Sequence, residues 1–154
     1  MRAARHGRAE VGFTLIELLV VVAIIAIVAA ISIPNLLNAS QRGRQSGSLA
    51  EMRSVATTLE RYATDTGRYP QAADVRALGA LLEPDYIGKL PVDDAWGNML
   101  VYQSSPDGRS YSLRSLGSDG LAQQADPQGP TGRHADDIIC ANGSFLQWPE
   151  GRQQ

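Results

Sequence analysis

The chain has 154 residues, 44 % of them apolar, and a formal net charge of −2; one domain is the default at this length, and the charge leaves no footprint for nucleic acid. Its single cysteine, Cys140, excludes an intramolecular disulfide and any Cys-based zinc cluster, and reads as a small buried hydrophobe. Two Phe and two Trp allow the polar, Gly- and Pro-rich part beyond the first forty residues only a modest core.

Residues 1–12, "MRAARHGRAEVG", carry three Arg, His6 and Glu10, and the run from Leu18 to Ile33 carries no charge. With Phe13 to Glu17 added, about 20 residues at 1.5 Å each match the ~30 Å hydrocarbon core of a bilayer. Basic residues ahead of the run predict a cytoplasmic N-terminus and an exported remainder. A cleaved signal peptide competes with this reading, but its apolar region is about 7–15 residues, and this run is longer, β-branched and continues into helix-compatible sequence. Such a segment is helical by necessity, because lipid satisfies no open backbone group. Pro34 is expected to kink it, and Gly43 and Gly47 to weaken it locally.

Leu49, Met52, Val55, Ala56, Leu59, Tyr62 and Ala63 then recur at three- and four-residue steps, the mark of an amphipathic helix with a core-facing stripe. "DTGRYP" (65–70) ends it with a Gly stop and a Pro beyond. Leu78, Leu81 and Leu82 mark a short second helix. "NMLVYQ" (98–103) and "SYSLRSL" (110–116) alternate as half-buried strands around the turn "SPDG" (105–108), a hairpin. A third strand is expected in 137–148, with Asn142-Gly143 as a further turn, and "PEGRQQ" at the end is expected to be loose. The fold class is therefore α+β: a long N-terminal helix, half membrane-spanning and half amphipathic, packed on a small antiparallel sheet.

"GFTLIELLVVVAIIAIVAAISIPN" (12–35) resembles the N-terminal signature of type IV prepilins and type II secretion pseudopilins. The resemblance implies a leader of residues 1–12 cut after Gly12 by a prepilin peptidase, methylation of the new N-terminal Phe13, an apolar half-helix 13–37 and a soluble pilin-like domain 38–154. Removing Arg2, Arg5, Arg8 and Glu10 would leave 142 residues and shift the charge from −2 to −4. Glu17 is the family's acid within the apolar run. A carboxylate there costs at least ~2.5–3.5 kcal/mol at the bilayer centre, less near the interface, unless a partner satisfies it. The Phe13 amine freed by cleavage is one helical turn away. It can pair with its own Glu17 or with that of an incoming subunit, and the resemblance implies the second, which sets the register of a filament. An interfacial Glu among lipid head groups is the plain alternative. Ala23, Ala26 and Ala30 form a stripe that permits close helix approach.

Asp119 precedes Gly120 in "SLGSDG", and Asp126, Asp136 and Asp137 follow in a Gly- and Pro-rich loop. Carboxylate and carbonyl oxygens are what Ca²⁺ selects, but the spacing matches no EF-hand, and Asp favours turns in any case. "LPVDDAWGNMLVYQ", "YSLRSLGSDG" and "DDI" are similar to the soluble region of the major (G-type) pseudopilin of type II secretion systems. That resemblance implies a calcium ion held by the side chains of Asp119, Asp136 and Asp137 and the carbonyls of Leu116 and Ser118, with Asp126 a substitute. Ala95 stands where the family has Pro.

No enzyme is expected. His6 lies in the leader, leaving His134 as the histidine of the processed chain; no nucleophile is placed beside it, no metal-ligand spacing surrounds it, and it reads as a loop surface residue. No phosphate-binding loop is present. Three readings follow: a type II secretion pseudopilus subunit that drives protein export; a type IV pilin of a surface fibre for adhesion, motility or DNA uptake; and a membrane-tethered binding module. The first carries the resemblance. Its implied partners are copies of itself, minor pseudopilins, the prepilin peptidase and an inner-membrane assembly platform, with the C-terminal domain periplasmic.

Overall fold

The computed structural model describes residues 12–124 and 128–151. One helix, α1, runs unbroken over Leu15–Thr66 with Pro34 inside it. The melting expected at Gly43 and Gly47 is therefore not found. At Gly47 the reason is packing: a Cβ there would lie 3.2 Å from the Ala95 side chain, so the missing side chain lets a loop close on the helix. Nothing lies within 4 Å of a Cβ at Gly43, and that glycine has no structural explanation. The expected stop holds. Gly67 takes φ +78° and its N–H reaches Ala63 O at 2.8 Å, a left-handed residue closing the helix.

The chain divides into two compact units between Ala39 and Ser40. In the first, every large apolar side chain of the helix is exposed, from Leu15 to Leu37. Among the described residues α1 is the one helix long and apolar enough to cross a membrane. A helix this apolar and this uncovered needs lipid or other helices around it.

The second unit has its own core. Leu49, Met52, Val55, Ala56 and Leu59 of α1 are buried as the three- and four-residue spacing requires, with Tyr62 at the margin. They meet α2 (Val75–Leu82), whose first turn is capped by the Asp74 side chain accepting from Ala77 N at 2.8 Å. Val75, Leu78 and Leu82 face inward and Leu81 faces out. The other wall is a sheet of β1 (Val101–Ser104), β2 (Tyr111–Ser115), β3 (Gly129–Thr131), β4 (Ile138–Ala141) and β5 (Ser144–Pro149), in the order β1-β2-β4-β5-β3. Tyr102, Leu113, Cys140 and Phe145 point into the core from successive strands.

The expected hairpin forms, and a second one stands where a third strand was expected. β1 and β2 pair antiparallel across residues 105–110. β4 and β5 pair across Asn142 (φ +48°) and Gly143 (φ +78°), the doubly positive turn that Asn-Gly favours. The expected third strand is thus two strands. β3 is new: it pairs parallel to β5, three residues with a Pro at the centre. It shows no alternation to read, and Pro is tolerated there because the strand is an edge. Its partner corrects a second expectation. Pro149 ends β5 and Glu150 N donates to Thr131 O at 2.9 Å, so the start of "PEGRQQ" is tied down; residues 152–154 lie outside the described residues. The Cys140 thiol is fully buried, and burial pushes it up to about 11, as an inert core cysteine requires.

Leu59 is fully buried where α1 meets the sheet. Leu59→Ala is expected to destabilise the second unit by about 2–5 kcal/mol, read as a lower midpoint in urea unfolding of residues 38–154.

Candidate functional site

The helix start and a cluster of loops carry the residues singled out in the sequence. Thr14 caps α1: its N–H and its hydroxyl donate to Glu17 Oε2 at 2.8 and 2.7 Å, and Glu17 N donates back to Thr14 Oγ1 at 3.3 Å. This reciprocal capping box satisfies orphan donors of the first turn. Thr14 was legible as T-x-x-E ahead of an apolar run, but the membrane setting drew attention to the acid alone. One oxygen of Glu17 serves the helix start, and no hydrogen bond to its other oxygen is found among the described residues. Gly12 and Phe13 precede the first turn and are exposed. The leader 1–11 lies outside the described residues.

In the second unit the organising group is Asp94, only 5 % exposed. Its Oδ1 accepts from Trp96 N (3.0 Å) and Asn98 N (2.8 Å), and its Oδ2 accepts from Ser115 Oγ (2.7 Å). Asp94 N and Asn98 O close the same loop at 2.8 Å, and Gly97 supplies its turn at φ +90°. The loop then reaches both ways. Toward α1, Ala95 N donates to Ser48 Oγ (3.0 Å) and Trp96 Nε1 to Gln41 Oε1 (2.8 Å). Toward "SLGSDG", Asn98 Nδ2 donates to Gly117 O at 2.7 Å. A Cβ at Gly120 would stand 3.0 Å from Asn98 Oδ1.

The two segments that carry the residues named for calcium lie side by side. Ser118 N donates to His134 O at 2.8 Å, and a Cβ on Gly117 (φ +64°) would be 2.7 and 2.8 Å from the carbonyl oxygens of Ala135 and Asp136. Leu116, Ser118 and Asp119 therefore run beside Asp136 and Asp137. Asp137 is fully buried. Its Oδ2 accepts from Arg114 Nη1 (3.1 Å) and Gln123 N (3.0 Å), while its Oδ1 is enclosed with no hydrogen-bond partner. Burial raises its pKa, with a smaller push from Asp119, against the pull of Gln123 N–H and Arg114. An enclosed, unpartnered carboxylate oxygen with a second acid nearby fits a hard cation. The other acids are engaged: Asp136 accepts from Thr131 Oγ1 and Gln123 Nε2, and Asp119 Oδ1 accepts from Leu121 N. Among the described residues no group of three or more His, Cys, Asp or Glu is arranged to hold a metal. Asp126 lies outside the described residues. His134, expected at the surface, is half-buried with Nδ1 enclosed and unpartnered, because its turn is pinned between Ser118 and α1, where Gln45 Nε2 donates to Arg133 O at 3.4 Å.

The family model for type II secretion system protein G matches residues 35–132, well over half of the chain. The chain belongs to the type II secretion system protein G family. The model for the prokaryotic N-terminal methylation motif matches residues 11–33. Among curated relatives, the type II secretion system core protein G of Pseudomonas aeruginosa is 31 % identical over 126 residues, covering 73 % of this chain and 87 % of the relative. That of Vibrio cholerae is 33 % identical over 125 residues, covering 73 % and 84 %. That of Escherichia coli is 30 % identical over 131 residues, covering 78 % and 88 %. The protein G match takes in α2, β1, β2 and both the Asp94 and Asp119 loops; the motif match takes in Thr14 and Glu17.

Two predictions follow from these loops. Asp94→Ala removes three hydrogen bonds to a buried carboxylate, each worth about 1.5–3 kcal/mol when made to a charged group; it is expected to lower the thermal midpoint of residues 38–154 more than Leu59→Ala does. Asp137 has the raised pKa described above. Glu51 is also raised, first by burial and then by the charge of Asp94. A raised carboxyl contributes stability that is fully present below its unfolded value, about 4, and is lost as pH climbs through the folded value. In metal-free buffer the fragment is expected to lose stability as pH rises from 4 toward 7, and Asp137→Asn with Glu51→Gln to flatten that slope.

Proposed function

We propose that the chain is the major subunit of a type II secretion pseudopilus, the filament that drives folded proteins out of the cell. The observation that carries this is the pairing of the family match to protein G with an apolar stretch of α1, residues 15–37, whose large side chains are exposed among the described residues. In the bilayer that helix is an anchor. In a filament it becomes the shared core, where association rests on packing and polar contacts because lipid is as apolar as the helices.

A prepilin peptidase cuts after Gly12 and the amine of Phe13 is methylated; the methylation-motif match over residues 11–33 supports this step. The N-terminus stays cytoplasmic and the second unit periplasmic, with the basic leader setting the orientation. The new amine meets Glu17 of the adjoining subunit, and this pair sets the axial register. Glu17 is suited to it because one oxygen is held by Thr14. Minor pseudopilins and an inner-membrane platform complete the assembly.

Calcium is the second part of the proposal. Asp119, Asp136 and Asp137 supply carboxylates, and Leu116 and Ser118 carbonyls, around the unpartnered Asp137 Oδ1. The ion would lock the Asp119 loop against the 133–137 turn.

Glu17→Ala is expected to insert and be cleaved at the wild-type rate, yet to give less than about a tenth of the wild-type filament in sheared fractions from a secretion-competent strain; a normal yield removes the register role. Millimolar calcium is expected to raise the thermal midpoint of residues 38–154 by several degrees, and Asp137→Asn to abolish the rise. An unchanged midpoint with the wild-type fragment rules out the ion.

A further inference from the structure

The acidic loops of the second unit already hold a cation of their own. Arg114 lies on β2 opposite Ile139 of β4, and Asp137 stands just ahead of that strand, so the guanidinium reaches along β4 to the carboxylate. Arg114 Nη1 donates to Asp137 Oδ2 at 3.1 Å and to Gln123 O at 3.2 Å. Gln123 closes the other side. Its N–H donates to the same Asp137 oxygen at 3.0 Å, and its Nε2 donates to Asp136 Oδ1 at 2.9 Å. An arginine and a glutamine thus clasp both acids of the 133–137 turn.

The clasp is an internal one: the Asp137 side chain is 0 % exposed and that of Arg114 20 %. A buried carboxylate left without a counter-charge is strongly destabilising, and Arg114 supplies that charge at one oxygen. The other oxygen, Asp137 Oδ1, and the side-chain carbonyl Gln123 Oε1 are enclosed with no hydrogen-bond partner. Unfilled buried acceptors carry a cost, and oxygens of these two kinds are what a hard cation takes. An ion cannot reach Asp137 while the clasp is shut, because the carboxylate is sealed. The guanidinium has room to leave. A cleft of about 210 Å³ opens beside it, lined by Val101, Gln103, Ser112, Arg114 and Ala122, and the side chains of Gln103 and Ser112 offer acceptors there.

We propose that Arg114 is the resident counter-ion of Asp137 and competes with calcium for it: the ion binds only as the guanidinium swings out, and Arg114 sets the affinity. Two effects act in the same direction. A positive charge fixed beside the ligand oxygens repels the ion, and calcium affinity follows the charge count of the ligands. The buried pair must also be broken before the ion enters. The loops therefore keep their shape without calcium, and the ion is taken up only where it is abundant. The proposal rests on the calcium reading of these loops and adds the residue that opposes the ion.

The experiment titrates calcium into the chelator-treated full chain in detergent micelles by isothermal calorimetry, with the wild type, Arg114→Leu and Arg114→Lys side by side. Arg114→Leu is expected to bind at least about tenfold more tightly than the wild type, because both opposing effects are gone, and to have the lower thermal midpoint without metal. Arg114→Lys keeps the charge and is expected to stay within about threefold of the wild type. Equal affinities of the wild type and Arg114→Leu overturn the proposal. So does a lysine variant as tight as the leucine one, since the charge is then not the competitor. Should Arg114→Leu be unfolded without metal, calcium is expected to restore its circular dichroism spectrum, and no recovery at millimolar calcium overturns the proposal. The wild-type titration by itself decides the calcium reading. A wild type that takes up no calcium, beside a leucine variant that does, removes the ion from the native protein and upholds Arg114 as the cause; binding to none of the three removes both.

Discussion

Everything the second unit presents depends on one buried carboxylate, Asp94. Charge in a protein interior is costly unless its acceptor positions are filled, and here three donors from two segments fill them. Because those donors converge on one residue, the 94–98 loop has a single shape, and it passes that shape on. Its backbone and indole bind α1 through Ser48 and Gln41, and its Asn98 binds the Gly117 carbonyl. The Asp119 loop and the Asp136–Asp137 turn thus inherit their positions from a group far from either along the chain.

The two units solve opposite problems with one helix. From Ser40 onward, the large aliphatic residues of the helix, Leu49, Met52, Val55 and Leu59, are all buried, and polar ones such as Ser48 are buried where a loop supplies a partner. Before Ala39 the apolar residues go all round, so burial must come from outside the subunit. A chain with this contrast is stable as a folded unit and still incomplete, as a building block for polymerisation needs to be.

The long helix, the short second helix and both hairpins were legible because each carries a local signature: unbroken apolarity, a three-to-four period, alternation around Pro-Asp-Gly, and Asn-Gly. β3 was not legible, because three residues with a central Pro hold no period and its pairing is to a strand well along the chain. Gly47 misled for a related reason. Its local propensity argues for a weak helix, and only the distant Ala95 explains why a larger residue is absent. At the functional sites, Glu17 stood out by its improbability in lipid, while Thr14, three residues earlier, passed as ordinary. Asp119, Asp136 and Asp137 were visible as acids in a loop, but that Asp137 is sealed inside against Arg114 and that His134 is half-enclosed are facts of tertiary packing. The role of Asp94 was hidden in the same way, since nothing in "DDAWGN" distinguishes a buried acid from the exposed one beside it.

The Thr14–Glu17 cap has a consequence for timing. Because the helix start is already closed by its own side chains, the cleavage proposed after Gly12 would have no conformation to trigger; it would remove a leader and leave a positive charge where an amide stood. Under that proposal processing would work as a one-way licence rather than as a folding event. Folded, uncleaved subunits would then accumulate as a silent stock in the bilayer, and the size of the pool fit to polymerise would be set by a peptidase rather than by synthesis or folding.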